Sequence, residues 1–482
     1  MFGSAGPATA DKEALLDYHS GEPDVDRPTN SLSRTQRSSS LLPSMALRLL
    51  VFMLPSFLRK TPNVTSPKTT EKSVLPGCPQ RPSTEYLDGV RGVASVVVFV
   101  FHWTHIQFPR VNSGYDGNSN LSLWQLPIIR LVYSGAAMVS IFFAVSGFVL
   151  THRFIQKMHS GDWNGLYPSL TSLAFRRAVR LFLPALASCV LAYTCACLGL
   201  ISVPANIGHK PFHHGFWALL QYLDKETDPW TWEPFMKGFY NPQLWSISLE
   251  FRGSMVVFLT VLGLAKSRLS VRLLVEGALV VHAFLHKRWD IGLFVAGMML
   301  AELDVWVYES SAAKKLMRKK AAKVVLVLAM MIGIWLSGYP RDNGPQSLGY
   351  KTISKHWPHS GYRRRFWVSV GSILIVGPLS FFPCVQAIFN TRVVKYFGKV
   401  SFALYLIHGL GNRTVGTWIL RATWRFIGNG TVGARAFSYI VSSAAYVPII
   451  FWWSDMFWRA FDAPSTRFAK WLESKCASRP TS

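Results

Sequence analysis

Apolar runs of about 20 residues recur along this chain, and no other feature restricts its fold as severely. A run of that length spans the hydrocarbon of a bilayer when helical, and a helix satisfies its own backbone hydrogen bonds in lipid. The composition agrees: 50% of residues are hydrophobic, 14% aromatic and only 16% charged. The sequence therefore predicts an all-α fold, a polytopic transmembrane helical bundle, over the two or three soluble domains that 482 residues would otherwise permit. About ten spans are expected, near 89–108, 130–151, 181–202, 244–264, 271–285, 290–308, 322–338, 367–388, 397–411 and 436–458.

The flanks differ from this core. Residues 1–84 read as a disordered cytosolic tail, with SLSRTQRSSS at 31–40 too polar to bury. Within it, residues 41–60 are apolar but carry Arg48, Pro43 and Pro55, which favours a segment lying in the interface over a span. The transmembrane domain is expected over 85–460, with a cytosolic tail at 461–482. A net charge of +26 would suit nucleic acid, but no separate basic domain is visible. The basic residues sit between and beside the spans, as the positive-inside rule and contact with anionic lipid or ligand phosphates require. With a cytosolic N-terminus, Arg153, Lys157, Lys266, Arg268 and the KKLMRKK cluster at 314–320 fall on the cytosolic side. Arg363, Arg364 and Arg365 fall on the opposite side, as do the sequons at Asn120, Asn412 and Asn429, whereas Asn63 stays cytosolic. The expected compartment is the endomembrane system or the plasma membrane. The six cysteines form no CxxC pair, and His209, His213 and His214 lack a nearby carboxylate or cysteine at ligand spacing, so no metal site is expected.

Ionisable groups are costly in lipid, so those inside the apolar runs mark candidate sites. The run YLDGVRGVASVVVFVFHW from Tyr86 to Trp103 holds Asp88, Arg91 and His102. Arg91 and His102 lie eleven positions apart, close to three helical turns and roughly 16 Å of rise, and so share a face. Gly89 and Gly92 beside them would let a ligand or another helix approach closely. Ser146 and Gly147 interrupt the aromatic run FFAVSGF, as a packing notch or part of a site. In AFRRAVR, Arg176, Arg177 and Arg180 share a face just before the third span, fit either to clamp phosphate or to reach lipid headgroups. In WSISLEF, Ser246 and Glu250 sit i, i+4; the carboxylate could orient a histidine, accept a proton or pair with an arginine. Ser401, Tyr405 and His408 form one polar stripe that lines either a cavity or a seam. Glu302 and Asp304, two apart, point in different directions on a helix.

Taken in order, LDGVRGVASVVVFVFHW, FFAVSGFVL, RRAVRLFLPAL, LWSISLEF and GKVSFALYLIH make the chain resemble the acyltransferase-3 family of integral membrane O-acyltransferases, its fungal branch in particular. The matching stretches run from about residue 86 to 410. Arg91 and His102 meet the family's Arg–His pair, Ser146 to Phe148 its SGF element, Arg177 and Arg180 its RxxR pair, and Trp245 to Glu250 its WSxxxE element. The outer loop 203–243 and the basic stretch 362–365 depart from the pattern. The resemblance implies transfer of an acyl group from acyl-CoA, acetyl-CoA among the candidates, to a hydroxyl of a carbohydrate, lipid or secondary metabolite, with no permanently bound cofactor. With such a donor, the residues read above take roles as follows: His102 and Glu250 are expected as catalytic groups, Arg91, Arg177 and Arg180 at the donor's phosphates, and Asp88, Ser146, Trp245, Ser401, Tyr405 and His408 about the substrates. A transporter or flippase of the same architecture is the competing class, although the matched, broken spans and internal repeats common in transporters are not visible.

Overall fold

The computed structural model describes residues 52–56, 84–119, 121–201, 212–230, 240–355, 358 and 361–477. The tail expected over residues 1–40, most of the segment 41–60, and Asn63, Asn120 and His209 lie outside them. Phe52 and Met53 belong to a separate N-terminal unit, and the helical bundle begins at Pro55.

The bundle contains, in chain order, α1 (Tyr86–Gln107), α2 (Gly135–Ser160), α3 (Trp163–Cys197), α4 (Phe212–Thr227) and α5 (Trp245–Leu264). There follow α6 (Leu269–Leu285), α7 (Trp289–Glu309), the short α8 (Ser311–Arg318), α9 (Lys320–Ser337) and α10 (Arg363–Leu379). The last are α11 (Pro383–Phe389), α12 (Arg392–Gly411), α13 (Thr417–Ile427), α14 (Val432–Phe457) and α15 (Ala463–Cys476). The fold is all-α, without a strand among the described residues; one isolated bridge joins Ser113 to Asp342.

Among the described residues, seven helices are long and apolar enough to cross a membrane, or eight if α10 and α11, bent by 105°, make one broken span. The count of about ten also took in α6, which is 17 residues long, and α12, which carries Arg392, Lys395 and Lys399 in its first half. Both fold as helices, but neither has the apolar length of a spanning helix. The protein is a multi-pass membrane protein.

Local chemistry explains several junctions. α2 ends at Gly161, whose φ of +69° only glycine adopts without strain, and Asp162 then caps α3 by accepting the Gly165 N–H at 2.8 Å. α3 begins well before the span expected at 181 and runs for 35 residues, so RRAVR lies in mid-helix rather than ahead of a span. Glycine sets the spacing of the central helices. A Cβ on Gly92 would strike the backbone of Phe397 and Gly398, so α1 packs backbone to backbone on α12, and one on Gly89 would strike the carbonyl of Phe389 at the end of α11. Gly147 and Gly297 do the same between α2 and α7, each facing a carbonyl of the other helix. The notch at Gly147 is thus a helix seam.

Two π-helical turns redirect the chain near the site, at Asn412–Gly416 after α12 and Trp458–Asp462 after α14. Asn412 is buried and its side-chain oxygen accepts the Tyr446 hydroxyl at 2.9 Å, so this sequon sits inside the bundle and not on an outer surface. α15 packs on α3 through an ion pair between Arg176 and Glu473 at 3.1 Å.

Candidate active site

α1, α2, α3, α5 and α12, with the turn after α14, enclose a cavity of about 610 Å³. Asp88, Arg91, Ser146, Arg177, Arg180, Ser246, Glu250, Ser401 and Tyr405 all line it. Five stretches far apart in sequence are therefore brought to one space, and the polar stripe of α12 faces a cavity through Ser401 and Tyr405.

The basic residues around this space are not equally committed. Arg177 donates to Glu250 at 2.7 Å and to the Ser254 hydroxyl at 3.0 Å, so one carboxylate already balances it. Lys395 pairs with Glu85 at 2.7 Å. Arg91 approaches Asp88 only to 3.7 Å, and its Nε is buried without a partner. Arg180 makes no hydrogen bond or ion pair among the described residues, and its electrostatic neighbours are Asp462, Arg91 and Arg176. Lys399 stacks on the Trp458 ring at 4.2 Å. Arg176 turns away to Glu473, so the expected face of three guanidiniums splits in two. What remains is a pair of underused guanidiniums, Arg91 and Arg180, with Lys399 on the same wall. Planar guanidinium forks match phosphate oxygens in geometry and charge.

At the other end Tyr405 closes the wall. Its hydroxyl shares a hydrogen bond with Ser246 at 2.6 Å and reaches the Gln243 carbonyl at 3.1 Å. The His408 ring lies 5.8 Å from that of Tyr405, and His102 lies 5.2 Å from His408. The two histidines come from α1 and α12 and meet where those helices cross. His408 is fully buried; its Nδ1–H donates to the Leu404 carbonyl at 3.1 Å, which leaves Nε2 as an acceptor without a partner. His102 is half-buried and makes no hydrogen bond among the described residues, only ring contacts with Phe101 at 5.1 Å and with His408. Neither histidine lines the cavity itself; Tyr405, which does, is in ring contact with His408.

Trp245 is not brought to the cavity. It stands 6.3 Å from Trp289, and the Arg365 guanidinium covers both rings, at 5.2 and 4.5 Å. Glu302 and Asp304 serve separate partners, as their spacing requires: Glu302 binds Arg272 at 2.7 Å, and Asp304 binds His152 at 3.1 Å. Sequence reasoning missed Lys395, Lys399, Trp458, Asp462 and Thr466, all of which line the cavity. The lysines were readable as an i, i+4 pair one turn ahead of the Ser401 stripe. Asp462 and Thr466 carried no signal, because only the turn after α14 directs them inward.

The described residues form an all-helical membrane bundle around a charged cavity, with a histidine pair next to its Tyr405 wall. Residues 84–459 match the acyltransferase domain of the acyltransferase-3 family, and the chain belongs to that family. It is an enzyme that transfers acyl groups other than amino-acyl groups. The O-acetyltransferase PaAT-1 of Phomopsis amygdali is 24% identical over 92% of this chain and 93% of its own length. Acyltransferase clz18 of Cochliobolus lunatus is 25% identical over 80% of this chain and 94% of its own. Acyltransferase R4 of Phoma sp. (strain ATCC 20986 / MF5453) is 25% identical over 68% and 82%. No solved structure matches the chain.

Proposed function

We propose that the enzyme transfers an acyl group from acyl-CoA to a hydroxyl, with the donor's phosphates held by Arg91, Arg180 and Lys399 and with His102 as the general base. The observation that carries the reading is the placement of Arg91 and His102 on one helix, Arg91 on the cavity and His102 against His408 just behind the Tyr405 wall. Three turns of helix separate them, roughly 16 Å, a length suited to a long thin arm between an anionic nucleotide and a reactive thioester. The acceptor oxygen attacks the thioester carbonyl as His102 takes its proton; the carbon–sulfur bond breaks, and the coenzyme A thiolate leaves and is protonated. His408 and Tyr405 position the imidazole and the acyl carbonyl. Glu250, engaged by Arg177, acts by holding that arginine at the donor. The transfer is read as direct, since among the described residues His102 makes no hydrogen bond to a serine or cysteine that would carry an acyl-enzyme. PaAT-1, named an O-acetyltransferase, makes acetyl-CoA the first donor to try.

The test separates chemistry from donor binding in purified protein in nanodiscs. His102→Ala is expected to lower transfer by roughly 10²- to 10⁴-fold while donor affinity stays within a few-fold. Arg91→Ala is expected to weaken donor binding by about 1.5–3 kcal/mol, and Arg91→Lys to restore part of it. If folded His102→Ala lost donor binding as fully as Arg91→Ala, the assignment of roles would be wrong.

A further inference from the structure

A second group of arginines lies on the far side of the histidine pair from Arg91. Arg130 is 95% buried by its 5% exposure, and one of its nitrogens, Nη2, donates to the carbonyls of Val111 and Asn112 at 3.2 and 3.4 Å. Its Nε and Nη1 are buried with no partner among the described residues. Arg364, at the start of α10, makes no hydrogen bond or ion pair among the described residues, and its electrostatic neighbours are Arg341, Asp342 and Arg130. Arg365 beside it stacks on Trp245 and Trp289 and interacts with Tyr405, which ties the group to the histidine end of the cavity. Asn112 ties it there from the other direction, since its side-chain nitrogen meets His105 at 3.1 Å, one turn beyond His102. Among these neighbours, Asp290 is already taken by Arg252 at 2.6 Å, which leaves Asp342 to face several guanidiniums.

Placing these cations together is unfavourable twice over. They repel one another, and Arg364 sits in the first turn of a helix, where the backbone dipole disfavours positive charge. Unpartnered nitrogens on a buried arginine add the cost of lost hydration. A bound oxyanion removes all three penalties. The donor's phosphates are assigned to the opposite end of α1, so this oxyanion belongs to the other substrate.

Resting on the acyl-transfer reading above, we infer that the acceptor is itself anionic, a hydroxyl compound whose carboxylate or phosphate is held by Arg364, with Arg130 and Arg341 beside it, while its hydroxyl meets His102. The test uses the full chain in nanodiscs with [14C]acetyl-CoA or a longer labelled acyl-CoA, and a metabolite and lipid extract of cells lacking the gene. Anion exchange divides the extract into anionic and neutral pools before assay. Label is expected in the product from the anionic pool only. Phosphatase removes the activity if the group is a phosphate, whereas activity that survives phosphatase and is lost on methylation with diazomethane marks a carboxylate. Arg364→Ala should raise the KM for the anionic pool roughly 10- to 100-fold at an unchanged donor KM, and Arg364→Lys should recover part of it. Label only in the neutral pool would overturn the inference and leave acyl transfer standing. So would an Arg364→Ala loss that is equal for both pools and restored by anionic lipid, which would make the cluster a headgroup contact. No labelled product from either pool with any donor would overturn the acyl-transfer reading itself.

Discussion

Replacing Glu250 tests whether this carboxylate moves a proton or holds Arg177. The pair is 2.7 Å apart, and its side chains are only 12% and 14% exposed. Removing one member of an ion pair sealed from water costs roughly 3–5 kcal/mol, because a buried charge is left behind. Both side chains here line a cavity of about 610 Å³ instead of being sealed in close packing, which brings Glu250→Ala down to the cost of one lost charged hydrogen bond, about 1.5–3 kcal/mol. That is roughly a 10- to 150-fold shift in the unfolding equilibrium. Arg177→Ala should cost a similar amount, and the double variant should cost about 1–3 kcal/mol less than the sum, since the second change removes a charge already orphaned. Unfolding in mixed dodecylmaltoside and dodecyl sulfate micelles measures the cycle. On the kinetic side, Glu250→Ala should raise the donor KM, because Arg177 loses its anchor, and leave kcat within a few-fold. Additive stability losses would refute the coupling. A kcat lowered 10²- to 10⁴-fold, with stability and donor KM unchanged, would make Glu250 a proton-transfer group instead.

Tyr405→Phe removes the hydroxyl that bridges Ser246 and Gln243, and His408→Ala removes the ring behind His102; turnover measured on folded protein should fall for both, and normal activity in both would reduce the stripe to a packing seam. Gly92→Leu forces a side chain into the backbone of α12, and the folded yield by size-exclusion chromatography should collapse, whereas Gly263→Leu, with open space around it, should be tolerated. Asn412→Gln should leave the glycosidase-sensitive mass unchanged, because Asn412 is buried against Tyr446; a mass loss would contradict its place in the bundle. The linker sequon at Asn63 should also carry no sugar, and sugar found there by mass spectrometry would reverse the orientation.

The sequence by itself determined the class of fold. Apolar runs of bilayer length leave a helical bundle as the form that satisfies the backbone in lipid, and that constraint is local. It also determined most of the cavity's chemistry, since Asp88, Arg91, Arg177, Glu250, Ser401 and Tyr405 stood out as polar residues where lipid penalises them. The pairing of these residues was decided only by the tertiary structure. Arg176, Arg177 and Arg180 are near neighbours on one helix, yet Arg176 meets Glu473, Arg177 meets Glu250 and Arg180 is left uncommitted, because each faces a different neighbouring helix. Glycines at the α1–α12 crossing bring those helices close enough for His102 to meet His408, a contact across 306 positions that no periodicity encodes. The same holds for Asp462 and Thr466, which a π-helical turn brings back to the cavity from beyond the last expected span. Span-forming tendencies depend on short windows of sequence, whereas a charge's partner depends on which helix packs beside it, and the packing is settled by small residues and turns far away in the chain.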